Sequence, residues 1–270
     1  MTPRFQKEMI MKTFLMISTV AIAMTMNAAD APRLLAHRGG AHEHDENTMG
    51  AFKACYEKGI RGFESDFRMT KDNRIVILHD DTLEHTTDGT GHVEHLTADE
   101  VRKIRTKKSG EPLPFIEDYM AFFKDKPDVF AELEMKTGNA KLYSDERLEI
   151  YCRALHEAAQ ALPPGTYCFT SFDHRTLRTM KRLFPDAPTG LIVGGALDDK
   201  QIEFARELKV QQIAPVMDRT TRKAVRDAQK AGFKLTGWPT VSEADYALGV
   251  AMGYDNLTSD IPVKLHGARK

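Results

Sequence analysis

Residues 60 to 70 read IRGFESDFRMT. In an extended chain successive side chains alternate sides, so Phe63 and Phe67 fall on one face while Glu64, Asp66 and Arg68 share the other. The apolar face is that of an ordinary core strand, and the opposite face aims two carboxylates at one place. The pattern recurs in AELEMK, residues 131 to 136, where Glu132, Glu134 and Lys136 share a face and Leu133 and Met135 take the other. Carboxylates brought this close do not all stay ionised unless a cation joins them. Oxygen-only ligation at such density suits magnesium or calcium rather than zinc. Glu64, Asp66 and Glu134 are the candidate ligands, and Glu132, one pleat deeper, reads as a structural acid. The competing reading is an ion-pair network in which Arg38, Arg68 and Lys136 neutralise the acids.

Outward from these two strands the chain alternates between strand and helix. Short apolar runs begin at residues 33, 62, 129, 167, 189, 211, 233 and 254. Between most of them lie helix-like segments with caps and stops, as in NTMGAFKACYEKG, where Asn47 or Thr48 opens and Gly59 closes. Eight parallel strands with crossover helices predict a closed (β/α)8 barrel, an open doubly wound sheet being the structural alternative. Between the second and third barrel strands the chain is longer than a crossover needs. Residues of about 72–115, with their own strand RIVILH and a Gly-containing polar loop, predict a small insertion over the barrel's top. In such a barrel the strands' C-terminal ends form the rim where chemistry is housed, which places both acidic strands at the mouth.

The N-terminus reads differently. Arg4, Lys7 and Lys12 precede an apolar run from Thr13 to Met26 and then NAADA, the layout of a signal peptide over residues 1–29. Cleavage is expected near Ala28 or Ala29, leaving residues 30–270 as one secreted or periplasmic domain with no stable membrane anchor. With 41% hydrophobic and 29% charged residues and a formal net charge of -1, the chain is ordinary globular material with no field for nucleic acid. Cys55, Cys152 and Cys168 show no metal spacing and no disulfide framework. Nothing in the composition sets an oligomeric state.

Seven of the ten histidines fall between His37 and His95. His37 closes the first strand in LLAHRGG and His79 the inserted one in VILHDD. Two imidazoles at a metal-filled mouth are the natural base and acid for hydrolysis, and Arg38 and Lys136 offer the fixed positive charge that a phosphate wants.

Taken in order, AHRGG and ENT (36–48), FESDF (63–67), VILHDDTLEHTTDGTG (76–91), ELEMK (132–136), TSF (170–172), GW (237–238) and LTSDIP (257–262) resemble the glycerophosphodiester phosphodiesterase family over nearly the whole mature chain. That resemblance implies a TIM barrel hydrolase with one divalent cation, splitting a glycerophosphodiester into glycerol 3-phosphate and an alcohol. It implies His37 and His79 as the catalytic pair, Glu64, Asp66 and Glu134 as metal ligands, and Arg38 and Lys136 as phosphate grips. Glu46 and Asn47 of ENT are implied to orient the site, and Trp238 to form an apolar wall for the glycerol. The chain departs from the family's usual pattern at His85, where an Arg is common, at Pro239, and at His42 and His44. Alternatives are a lysophospholipase D-like or phospholipase C-like lipid phosphodiesterase, a zinc amidohydrolase using His42 and His44, and a catalytically silent envelope binding protein.

Overall fold

The computed structural model describes residues 31–268; the signal peptide reading lies outside them. Nine strands form one sheet: β1 (Arg33–His37), β2 (Gly62–Met69), β3 (Ile75–Ile77), β4 (Phe130–Met135), β5 (Tyr167–Ser171), β6 (Thr189–Val193), β7 (Gln212–Pro215), β8 (Lys234–Thr240) and β9 (Asn256–Ser259). Their order is β1-β9-β8-β7-β6-β5-β4-β2-β3, and β1 also pairs with β2. Without β3 this is a closed ring of eight parallel strands. Every expected barrel strand is present, which excludes the open sheet.

The crossover helices start where side chains can accept the free backbone N–H groups of a first turn. α1 (Met49–Glu57) is capped by Thr48. α2 (Ala98–Val101) begins with a reciprocal Thr97–Glu100 cap. α3 is Ile116–Phe123, and α4 (Asp145–Ala159) is capped by Ser144. α5 (His174–Leu183) and α6 (Asp199–Glu207) are capped by Asp173 and Asp198. α7 (Arg222–Lys230) is capped by Thr221, α8 (Glu243–Met252) by Ser242, and α9 (Pro262–Gly267) follows β9. The segment PFIEDYMAFF, which reads as the tail of the insertion, supplies α3, the crossover helix between β2 and β4. Its buried Tyr119 and Phe123 pack edge-on and tilted against Phe52 of α1 and against Phe63 and Phe67, the apolar face of β2.

One buried apolar cluster fills the space between barrel and helices. A second, built from Val76, Leu78, Leu83, Val93, Val101, Ile104, Leu113 and Phe115, sits under the insertion and gives it a core of its own. The insertion attaches by backbone. β1 ends at His37, where the Arg38 N–H donates to the Glu64 carbonyl; two residues on, the Asp66 carbonyl accepts from the Leu78 N–H. Phe67 to Met69 then pair antiparallel with β3. The edge of β2 that β1 leaves free is taken up by the insertion, so His79 follows directly from that ladder.

Candidate active site

The register brings the acids together. Glu64 lies beside Glu132 and Asp66 beside Glu134 on neighbouring strands. Glu64, Asp66 and Glu134 are all buried, and an oxygen of each lies within 4.8 Å of the others. Among the described residues this is the one such group. Lys136 Nζ stands 2.9 Å from Glu134 and 3.5 Å from Asp66. Arg38 Nε is 3.7 Å from Asp66, and its guanidinium reaches Glu46 at 3.2 Å. Asn47 donates to Asp66 at 2.8 Å. Arg68, on the same face of β2, does not partner these acids. It holds the His79 carbonyl, Asp81 and the buried Glu94, which also accepts from Tyr143.

Electrostatics separates the acids. Burial and the charges of Asp66 and Glu134 push Glu64 well above the ordinary carboxylate range, against the pull of Arg38 and Lys136. Burial also acts against ionised Asp66, but Lys136, His79, Arg38 and the Asn47 hydrogen bond outweigh it and hold that carboxyl low. For Lys136, the acids likewise overcome burial and raise its proton affinity. The cations present do not satisfy the cluster. Glu64 Oε1, Asp66 Oδ1 and Asn47 Oδ1 are buried with no hydrogen-bond donor. Buried oxygens without donors are rare, and an all-oxygen set of this kind fits a hard divalent cation held by Glu64, Asp66 and Glu134.

The loop after β1 is bent tightly. Arg38, Gly39 and Gly40 all have positive φ, and a Cβ on Gly39 would meet that of Ala51 at 2.8 Å. The turn lets the Arg38 N–H donate to the Glu64 carboxylate and its carbonyl accept from Asn47, itself at φ 56°.

Each candidate imidazole is oriented by a carboxylate. His37 Nδ1 lies 2.5 Å from Asp260 Oδ1, and its Nε2 faces Glu64 at 3.8 Å. His79 Nδ1 lies 2.8 Å from Asp80. Burial works against ionised Asp260, yet the hydrogen bond and charge of His37 bring its carboxyl below the ordinary range. Neither Asp260 nor Asp80 was singled out from the sequence. The signal for Asp260 was available in the closure of the ring, since pairing Ala36 with Ser259 sets Asp260 beside His37.

A cavity beside the acids is lined by Arg68, Glu134, Lys136, Asn139, Ser171 and Phe172, among others. Trp238 is not in that lining; its indole donates to the Ala214 carbonyl, and its ring meets Phe172 edge-on at 5.8 Å. Phe172, 43% exposed, is thus the apolar side chain between Trp238 and the cavity. His42 reaches Asp260 only at 3.8 Å, and neither it nor His44 joins the acid cluster.

A profile of the glycerophosphoryl diester phosphodiesterase family matches residues 37–264, which include every one of these side chains. The chain belongs to that family. It is 28% identical over 242 residues to a glycerophosphodiester phosphodiesterase of Caldanaerobacter subterraneus subsp. tengcongensis, covering 86% of this chain and 95% of the relative. A Bacillus subtilis protein of the same name is 22% identical over 278 residues, covering 94% and 93%. In fold the chain is similar to an Oleispira antarctica phosphodiesterase solved with the product sn-glycerol-3-phosphate, with TM-score 0.79 and 24% identity over 88% of this chain and 96% of that one.

Proposed function

We propose that this family member is an exported, metal-dependent phosphodiesterase that splits glycerophosphodiesters into sn-glycerol 3-phosphate and an alcohol. The observation that carries the reading is the buried trio Glu64, Asp66 and Glu134, with oxygens lacking donors and Arg38 and Lys136 beside them. The relatives' shared name and the glycerol 3-phosphate bound to the Oleispira antarctica enzyme support the substrate class.

Glu64, Asp66 and Glu134 would hold one magnesium or calcium ion. Bound there, the ion supplies positive charge to a phosphate oxygen and lowers the proton affinity of a coordinated hydroxyl. Arg38 and Lys136 offset the charge that develops on phosphorus. His37, turned by Asp260 so that Nε2 faces the acids, takes the proton of the attacking group. His79, held by Asp80, gives a proton to the departing alkoxide. The Phe172–Trp238 pair offers an apolar wall to the substrate's carbon skeleton.

The test is release of glycerol 3-phosphate from glycerophosphocholine, with and without a chelator. Release that stops with chelator and returns with magnesium or calcium supports the reading; no release, or release indifferent to chelator, overturns it. Export is checked by N-terminal sequencing of the native protein, expected to begin near Ala28 or Ala29. The exposed Phe172 favours a second reading, cleavage of lysophospholipids, in which the acyl chain stays on the glycerol and lies against that ring while the head-group alcohol departs. Faster turnover of lysophosphatidylcholine than of glycerophosphocholine would select it.

A further inference from the structure

The carboxylate of Asp80 is shared by two imidazoles. Its Oδ1 lies 2.8 Å from His79 Nδ1 and its Oδ2 2.7 Å from His85 Nδ1. The His79 side chain is 29% exposed, whereas His85 is 79% exposed and stands on the outer side of the pair. Burial raises the proton affinity of Asp80, but the hydrogen bonds of His79 and His85 outweigh it and bring the carboxyl below its ordinary range. Both rings therefore draw on one anionic charge. With a donor on each oxygen, the carboxylate is fixed in rotation as well.

Other charged groups face the two rings. Around His79 they are Asp66 and Arg68 from β2, the latter donating to the His79 carbonyl while paired with Asp81 and Glu94. Next to His85 in the chain, the Glu84 carboxylate accepts from the Gly91 N–H and the Glu84 carbonyl from the Lys107 ammonium. None of these bridges both rings as Asp80 does. At the other imidazole the corresponding arrangement is open, because His42 is 3.8 Å from Asp260, beyond hydrogen-bond distance.

We propose that His85 is a positioning residue for His79, acting through Asp80: by holding Oδ2 it pins the carboxylate so that Oδ1 meets His79 Nδ1. The catalytic half of this inference rests on His79 as the proton donor of the proposed reaction. Without His85 the carboxylate is free to rotate, and the His79 ring loses its fixed orientation toward the acids.

The experiment follows the His79 imidazole resonances by NMR in the full chain and in His85→Ala and His85→Gln. The His79 Nδ1–H signal should shift and broaden in His85→Ala and return toward the parent position in His85→Gln. On glycerophosphocholine, His85→Ala should lose about tenfold in kcat with KM unchanged, and His85→Gln should restore most of it near neutral pH. A nitrophenyl phosphodiester, whose leaving group needs no proton, should feel the change less than about twofold. Unchanged His79 resonances in both variants, or equal losses on both substrates, overturns the inference. The NMR readout needs no turnover, so a failure of the proposed reaction leaves it standing.

Discussion

Glu132 and Glu64 lie side by side on neighbouring strands, and their surroundings differ. Glu132 sits inside with its Oε1 accepting from Gln212 at 2.6 Å and from Thr236 at 2.8 Å, the latter in turn accepting from Asn256. Glu64 and Asp66, at the rim, each keep a buried oxygen with no donor. The sequence pattern of the two strands is the same, an acid every second residue. Partners distinguish them: an acid whose lone pairs are met by neighbouring side chains completes the interior, and one left short of donors needs a partner from outside the chain.

The largest effect that tests this contrast is at the rim. Glu64→Ala and Asp66→Ala should lose at least about 10²-fold in turnover and lose metal binding measured by calorimetry. In chelator Glu64→Ala should melt no lower than the parent protein, since it removes the acid that its neighbours repel, whereas Asp66→Ala also strands Lys136 and the Asn47 amide. A much lower melt of Glu64→Ala without metal would make the rim trio structural and erase the contrast.

Next comes His79→Ala, which should cost about 10²- to 10⁴-fold on glycerophosphocholine and far less on a nitrophenyl diester. His37→Ala, removing the base, should slow both substrates alike. Measured kcat values on the two substrates give the answer.

Inside, Glu132→Ala should act on stability instead. It leaves the Gln212 amide and the Thr236 hydroxyl without their acceptor and opens a void, at a cost of about 2–4 kcal/mol in chemical denaturation, while metal affinity stays unchanged. Loss of metal affinity would move Glu132 into the site.

The smallest effect is a slope. Burial raises the Glu132 carboxyl to about 7, against the hydrogen bonds of Thr236 and Gln212. The fold therefore binds that proton more tightly than the unfolded chain does. Its contribution is full below the ordinary glutamate range and is lost as pH rises through about 7, by roughly 3 kcal/mol at most. Thermal melts from pH 4 to 8 should show a steeper decline for the parent than for Glu132→Gln, and parallel curves would refute the assignment.

Much of this was readable from alternation. The period of two in FESDF and AELEMK put the acids on one face, and the spacing of apolar runs predicted the ring that gathers them. What alternation cannot convey is which distant residue meets which. Asp260 lies 223 residues from His37 and reaches it only because β9 closes the ring on β1. Arg68 shares a face with Glu64 and Asp66, which suggests an ion pair, but the buried Glu94 of the insertion draws it away. Helix α3 was hidden because PFIEDYMAFF is apolar at one end and continuous with the inserted loop. Trp238 packs edge-on against Phe172, which lines the cavity, and the exposure of that second ring leaves no mark in sequence.

The shared edge of β2 has a consequence for how this enzyme can be varied. Because β3 takes over from β1 on the strand that carries Glu64 and Asp66, His79 and two of the three candidate ligands belong to one mechanical piece. The rest of the insertion packs its small core against Val76 and Leu78 of that same ladder. The outer part is therefore exchangeable only on a condition: a relative's segment placed between Asp81 and Phe115 should leave His79 beside the acids where it keeps the Glu94 that pairs with Arg68 and the His85 that shares Asp80, and should shift His79 where it loses them.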